Sequence, residues 1–451
     1  MLPLARLVLN SDARLLKTLL LLSLALAPAV SYGQVDPGPR AGTANAGGPI
    51  DGLRLWEKKF FTEGLSAFTE VNDVHGTITG DGGLGPTFNM DSCAGCHAQP
   101  AVGGSSPAVN PQFAVAGKAG AVNAIPYFLN LNGPVREVRS VSGGGGVIGI
   151  FTIQGRSDAP GCSLGQQNFL QFPYGDLKFR IPTPTFGLGL IEAIADSTIA
   201  ANEGVSKPFG ISGHANRTGN DGSITRFGWK AQNKSLLIFS GEAYNVEQGV
   251  SNEVFPNERS AVAGCRFNAT PEDHTHFDEA LRQAVSSDVI AFSNFMRFLA
   301  PPVPVTTDFV TTQSTVVKAA SIAAGRIAFG KAGCHVCHVP SLPTDNHSTV
   351  ALANTTANLF SDLLLHDVGT GDGISQGAAG GAEFRTAPLW GLGQRLFFLH
   401  DGSATDLVQA INGHGGEARQ VINNFNNTGP NFANRLSSTE RQDLINFLRS
   451  L

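Results

Sequence analysis

The chain has 451 residues and a formal net charge of −5, and 42% of its residues are hydrophobic. This length exceeds one ordinary hydrophobic core, so two or three domains are expected. Beyond the first 33 residues there is no basic run and no stretch of about 20 apolar residues, which argues against nucleic acid, anionic membranes and stable membrane insertion.

The first 33 residues have the pattern of a secretory signal peptide. Basic Arg14 and Lys17 precede an apolar run at residues 19–30, and small residues follow around Gly33. Residues 1–33 are therefore predicted to export the protein to the periplasm. Residues 34–50 are rich in glycine, proline and alanine and predict a flexible leader.

The next part of the chain predicts a first domain at residues 51–305. Large apolar residues recur at spacings of three and four over residues 55–68, which predicts a helix with one face on a core. A second helix, over residues 289–299, is predicted to close the domain. Apolar runs at residues 147–153 and 236–239 predict short strands between them. The fold class is thus mainly α with minor β, with a loop-rich, partly stranded insertion.

Two segments, at residues 93–97 and 334–338, read Cys-x-x-Cys-His. In this motif two thiols add to the vinyl groups of one porphyrin and the adjoining histidine binds the iron. A zinc site or a thioredoxin-like pair also uses Cys-x-x-Cys, but neither explains the histidine. We predict two covalently bound haems c, one at Cys93, Cys96 and His97 and one at Cys334, Cys337 and His338.

The second domain, at residues 306–451, is predicted to be a complete cytochrome c-like module. An alanine-rich helical run at residues 316–329 leads directly into the second motif. At the other end, Ser437 and Glu440 have the capping-box spacing before an apolar helix. With the first domain, this predicts two cytochrome c-like haem domains.

The two motifs use four of the six cysteines and leave Cys162 and Cys265. In the oxidising compartment expected for an exported protein, these two are predicted to form a disulfide. The alternative is a reactive dithiol, as in a thiol oxidoreductase.

The ligand on the far side of each iron decides what each haem can do. A haem with two protein ligands carries electrons, whereas an open position can bind a small molecule. Residues 98–213 contain neither histidine nor methionine, so we predict an open first haem. His75, His214, His274 or His276 could still be brought to it by the fold. For the second haem, the spacing does not choose among four downstream histidines: His347, His366, His400 and His414.

Residues 384–390 and 399–402 resemble the second-haem segment of bacterial di-haem cytochrome c peroxidases. Residues 85–93, 186–194, 226–231 and 364–369 resemble the related di-haem oxidoreductase family, whose members are described as peroxidases or thiol oxidoreductases. Those peroxidases take a methionine ligand shortly after His-Asp-Gly, where this chain has His414. The resemblance thus implies a second iron ligated by His338 and His414, with a lower potential than a His/Met haem.

The resemblance also implies roles for further residues. Glu192 is the lone charge in residues 186–194, and a distal carboxylate assists peroxide cleavage in the relatives; a salt-bridged carboxylate is the alternative. Trp229 and Trp390 are candidate haem contacts on an electron path, with ordinary packing as the alternative. Asp367 and Asp372 could hold a structural calcium ion or make ordinary turns.

These features predict an exported di-haem c-type cytochrome that reduces hydrogen peroxide at its first haem. The second haem would relay electrons from an external donor such as a small cytochrome, a copper protein or a quinol pathway. One alternative is a pure electron-transfer cytochrome with two ligands on each iron. Another is a haem-dependent oxygenase or protein-modifying oxidase, which would keep the open haem and change the substrate.

Overall fold

The computed structural model describes residues 33–217, 221–280 and 282–451, so the predicted signal peptide lies almost wholly outside the described residues. The described helices are α1 (Leu55–Thr69), α2 (Cys93–Cys96), α3 (Gln112–Val115), α4 (Leu188–Glu192), α5 (Asp196–Ala200), α6 (Leu236–Gln248), α7 (Asp288–Phe298), α8 (Ala319–Ala332), α9 (Leu407–Asn412), α10 (Arg419–Phe425) and α11 (Ser438–Leu448). Within the described ranges, no helix is both long enough and apolar enough to cross a membrane.

The strands are short and form small antiparallel sheets. They are β1 (Thr87–Phe88), β2 (Glu137–Ser140), β3 (Val147–Ile148), β4 (Phe151–Thr152), β5 (Leu177–Arg180), β6 (His276–Asp278), β7 (Gln283–Val285), β8 (Phe309–Val310), β9 (Val316–Val317), β10 (Leu342–Pro343), β11 (Thr356–Ala357), β12 (Leu365–Asp367) and β13 (Glu383–Arg385). Strand β2 pairs with β3 and β5, and the others pair as β1–β4, β6–β7, β8–β9, β10–β11 and β12–β13. The mainly α class with minor β is confirmed.

Each half of the chain is built on two helices that cross at a glycine. Helix α1 packs on α7, and a Cβ on Gly64 would overlap the carbonyl oxygen of Ala291. Helix α8 packs on α11, and a Cβ on Gly325 would overlap the carbonyl oxygen of Asp443. Any side chain at either glycine would separate the two helices, so glycine permits the close crossing. In each pair the helix that comes first in the chain, α1 or α8, precedes a Cys-x-x-Cys-His turn.

The sequence located the four helices that form these two crossings. Helices α1 and α7 confirm the predictions over residues 55–68 and 289–299. Helix α8 begins later than predicted, because residues 316–317 form β9. The capping box of α11 is confirmed: Ser437 Oγ accepts from Glu440 N at 3.2 Å, and Glu440 Oε2 accepts from Ser437 N at 2.8 Å.

The strand predicted at residues 236–239 is wrong. These residues form the first turn of α6, where the side chain of Ser235 accepts a hydrogen bond from the Ile238 amide at 3.2 Å. A run of four apolar residues fits a buried helix as well as a strand, and Ser235 was the overlooked helix-start signal.

Buried apolar side chains form three large cores. One lies mainly within residues 53–299 but also contains residues 342–364 and Trp390, so the two predicted domains share packing. A second lies within residues 309–451. The third consists of residues 74–177 and Cys265, and it underlies the insertion. It contains the Cys162–Cys265 disulfide, which confirms the predicted pairing.

The flexible leader expected at residues 34–50 is wrong, because this segment packs on the folded chain. The Asp36 carboxylate accepts from Arg449 Nε at 2.7 Å and from Arg449 Nη2 at 2.6 Å. The amide of Arg40 donates to Gly393 O, and that of Ile50 donates to Phe298 O, both at 2.8 Å. We call residues 34–50 the N-terminal strap.

Candidate haem sites

The first Cys-x-x-Cys-His segment begins with the short helix α2, and it opens on a cavity. The His97 ring lies on this cavity, with Nδ1 3.0 Å from the carbonyl oxygen of Gly104. Because a carbonyl only accepts, Nδ1 carries the proton and Nε2 is left as a ligand. Burial lowers the pKa of His97 to about 4, which keeps the ring in the neutral form that binds iron.

The second motif repeats this design in the other half of the chain. It follows Gly333, whose φ of 104° ends α8, and it opens on a second cavity. Nδ1 of His338 lies 2.9 Å from the carbonyl oxygen of Phe360, and burial lowers the pKa of His338 to about 4. Each motif thus places its histidine on the wall of a cavity.

The thiols of the motifs are half-buried and unbridged. Cys93, Cys96, Cys334 and Cys337 form no disulfide. All four are therefore free to add to the vinyl groups of a porphyrin.

Two arginines of the second cavity fit an anionic cofactor. Arg385 and Arg395 line the cavity, and burial lowers the pKa of each to about 10. Within the described residues, Nε and Nη1 of Arg385 and Nη2 of Arg395 are buried without a hydrogen-bond partner. A buried guanidinium needs a counter-charge, and the propionates of haem would provide carboxylates. No sequence motif marks either arginine as a cofactor contact, although Arg385 lies within residues 384–390, which resemble the second-haem segment of the peroxidases.

Three further histidines also line the second cavity: His366, His400 and His414. Nδ1 of His414 lies 2.8 Å from the carbonyl oxygen of Ala410, which leaves Nε2 as a ligand, as in His338. Both ring nitrogens of His366 are engaged instead, by Asp362 at 3.2 Å and by Glu417 at 3.0 Å. His414 therefore remains the predicted second iron ligand, with His400 as the alternative.

The first cavity has a different lining. His97 is the one histidine among the described residues that line it, consistent with an open first iron. The acidic residues on its wall are Glu137, Glu242 and Glu247.

Glu192 is not part of the first cavity. Its carboxylate accepts from Arg297 Nε at 2.7 Å and from the Leu236 amide at 3.1 Å, and it is absent from the cavity wall. The structure therefore shows the salt-bridged alternative for Glu192. A lone charge in an apolar run predicts a carboxylate within the fold, but it does not predict which side chains that carboxylate will contact.

Glu137 and Glu247 form a hydrogen-bonded pair of carboxyl groups on the first cavity. Burial, followed by the charge of Glu137, raises the pKa of Glu247 to about 8. Burial also acts to raise the pKa of Glu137, but the adjacent Arg139 lowers it below its ordinary value. Burial thus favours the protonated form of Glu247 and Arg139 favours the ionised form of Glu137, so the pair is suited to share one proton. No sequence motif marks this pair.

Trp229 and Trp390 lie in different parts of the structure. Trp229 lines both cavities, its Nε1 donates to Ile181 O at 2.9 Å, and the Arg395 guanidinium lies 5.9 Å from its ring centroid. Trp390 lines neither cavity and packs in the first core beside Gly187. The position of Trp390 thus matches the packing alternative.

The predicted calcium position is taken by other interactions. Asp372 binds Arg180 at 2.7 Å and Lys230 at 3.2 Å, and its Oδ1 accepts from the Ile374 amide at 3.0 Å. Asp367 makes a similar local turn with Gly369 at 2.8 Å. Over the described ranges, no group of three or more His, Cys, Asp or Glu side chains could hold a metal ion. The ordinary-turn alternative describes both aspartates.

Two cavities, each opened by a Cys-x-x-Cys-His turn and both lined by Trp229, are the features of a di-haem redox protein. Residues 149–451 match the family described as "Di-haem oxidoreductase, putative peroxidase". The chain belongs to this family. The matched residues include the second motif, whereas the first motif lies upstream of them.

No curated protein matches the chain. Among solved structures, Kuenenia stuttgartiensis hydrazine synthase pressurised with xenon is 20% identical with a TM-score of 0.24, and the match covers 38% of this chain and 57% of that chain. The chain thus spans little more than half the length of that relative. A MauG-like protein associated with microbial copper homeostasis is 18% identical with a TM-score of 0.27, over 63% of this chain and 95% of that chain.

Proposed function

We propose that the protein is an exported di-haem enzyme that reduces hydrogen peroxide at the first site with electrons relayed through the second. The observation that carries this proposal is the difference between the two cavities. The first combines one histidine with the Glu137–Glu247 pair, whereas the second holds a further histidine suited to a closed iron. One site is thus equipped for chemistry and the other for electron transfer.

Haem bound at His97 would supply an iron with an open position, and haem bound at His338 would supply a nearby electron store. Reduction of hydrogen peroxide to two waters consumes two electrons and two protons. Glu137, kept ionised by Arg139, can accept a proton from one peroxide oxygen. Glu247 can donate its proton to the other oxygen as the bond between them breaks. The two carboxyl groups thus replace Glu192 as the proposed acid-base residues.

Trp229 is the proposed electron path. It lines both cavities, and its hydrogen bond to Ile181 fixes the orientation of the indole. The external donor would be a small cytochrome, a copper protein or a quinol pathway, which delivers electrons to the second haem.

One observation favours the electron-transfer cytochrome as a second candidate. Met90 and Met296 both line the first cavity, and a thioether ligand from either would close the iron. An EPR spectrum of the ferric protein separates the two functions, because an open first haem is high-spin and a closed one is low-spin.

Stopped-flow mixing with hydrogen peroxide tests the proposed enzyme. General acid-base assistance contributes about 10² to 10⁴-fold, so Glu247→Gln should slow the reaction by about that factor. Glu192→Gln is the matched control and should leave the rate unchanged. A six-coordinate first haem that is inert in the ferric and half-reduced protein contradicts the enzyme and leaves the cytochrome. A reactive haem indifferent to Glu247→Gln removes only the proton-transfer role.

A further inference from the structure

A buried cluster of charges lies between the two cavities. The Lys230 side chain is 0% exposed, and its Nζ donates to Gly380 O at 2.8 Å, Glu383 O at 2.7 Å and Asp372 Oδ1 at 3.2 Å. Arg180 holds the other oxygen of Asp372 through Nε at 3.1 Å and Nη2 at 2.7 Å. We call Arg180, Lys230 and Asp372 the interdomain cluster.

The interdomain cluster carries an excess of one positive charge. Three oxygens surround Lys230 Nζ, and only the ammonium form has three N–H groups to donate to them. Burial lowers the pKa of Lys230, but the charge of Asp372 opposes this shift. Two cations then share one carboxylate.

The neighbouring charges do not cancel this excess. Next to Arg180, Arg139 and Glu137 neutralise each other. The carboxylate of Glu383, on the other side, offsets only part of it, because its two oxygens are held by His214 at 2.8 Å and by the Gly380 amide at 2.7 Å. The field of the buried ammonium therefore persists inside the protein.

The interdomain cluster lies next to residues that line each of the two cavities. Trp229, the residue before Lys230, lines both cavities, and Arg180 lines the first. The ring of Phe384 lines the second cavity, and Lys230 Nζ lies 4.2 Å from its centroid. On that cavity Phe384 also stacks on His400, with 4.1 Å between the ring centroids. One aromatic ring thus separates the ammonium from the second cavity.

We propose that Lys230 sets the reduction potential of the second haem, raising it through its uncompensated buried charge. Ferrous haem carries one positive charge fewer than ferric haem, so a fixed cation nearby stabilises the reduced state. The effect offsets part of the low potential expected from two histidine ligands. The higher potential also favours the reduced state of the second haem, from which electrons would pass to the first site through Trp229. The inference rests on the proposed function, since it requires haem in both cavities.

Spectroelectrochemical titration of the full-length, haem-loaded protein tests this inference. Lys230→Met should lower the midpoint of the haem held by His338, with about a tenfold loss in its reduction equilibrium constant, which is about 59 mV for one electron. Asp372→Asn should shift the same midpoint upward, because it removes the negative charge of the cluster. Lys234→Met is the matched control: its side chain is 43% exposed in a surface pair with Asp221, and the midpoint should not move.

The outcomes separate the inference from the function on which it rests. A protein that binds fewer than two haems contradicts the proposed function before any potential is measured. Two haems with an unchanged second midpoint in Lys230→Met overturn the inference alone. So does a downward shift in both Lys230→Met and Asp372→Asn, because it would indicate disturbed structure rather than charge. If Lys230→Met does not fold, Asp372→Asn alone tests the inference. An upward shift of the second midpoint supports it, and a downward shift or no shift overturns it.

Discussion

Replacing Asp36 with alanine tests whether the N-terminal strap stabilises the second domain. The side chains of Asp36 and Arg449 are only 5% and 1% exposed, and the guanidinium binds both carboxylate oxygens. Without Asp36, Arg449 would keep only carbonyl partners, at Arg395 and Gly393. The amides of Gly38 and Leu407 would also lose their acceptor.

The expected cost follows from the burial of this pair. Removing one partner of a buried ion pair costs about 3 to 5 kcal/mol, because a charge remains buried without its counter-charge. This corresponds to a change of about 150- to 4,000-fold in the unfolding equilibrium constant. Urea denaturation followed by circular dichroism measures the change in free energy of unfolding.

Two further variants make the test specific. Glu63→Ala removes an exposed pair with Lys59 and should cost no more than about 1 kcal/mol. The double variant Asp36→Ala, Arg449→Met removes both charges and should cost less than the sum of the single changes. If Asp36→Ala costs no more than Glu63→Ala, the strap does not stabilise the fold in this way.

Three other predictions concern single features. His414→Ala should convert the second haem from low to high spin in the EPR spectrum, and an unchanged signal would assign the ligand to His400. The Cys162–Cys265 bridge spans 103 residues of sequence, so its reduction should lower stability by about 4 to 5 kcal/mol, and alkylation without reductant should label neither thiol. Burial lowers the pKa of His366, but the hydrogen bond to Asp362 prevails and raises it to about 11. Its stabilising contribution is therefore complete below about pH 6.5 and is lost as pH rises toward 11, so the urea midpoints of wild type and His366→Gln should converge between pH 6 and 10. A constant difference would contradict this.

Local patterns in the sequence predicted the local features well. The spacing of apolar residues located α1 and α7, and the capping box located the start of α11. The Cys-x-x-Cys-His motifs identified the two turns that open on the large cavities. Each of these signals lies within a few residues of the feature that it predicts.

The parts that the sequence did not predict depend on distant contacts. Glu137 and Glu247 are far apart in the chain and meet only because β2 and α6 both border the first cavity. Composition alone made the N-terminal strap resemble a linker, since nothing near Asp36 shows that Arg449 will bind it. Glu192 was misplaced for the same reason, because Arg297 lies on another helix. Tertiary partners, rather than local propensity, decide these positions.

The two cavities differ in which parts of the chain build them. Strand β2, which brings Glu137 to the first cavity, belongs to a sheet of the insertion, and the insertion has its own core and a disulfide. Apart from Ile211 and Trp229, the residues lining the second cavity all follow position 328. Changes within the insertion can therefore alter the first cavity and leave the second intact. Under the proposed function, such a division would let the substrate of the first site change while the electron supply through the second is retained.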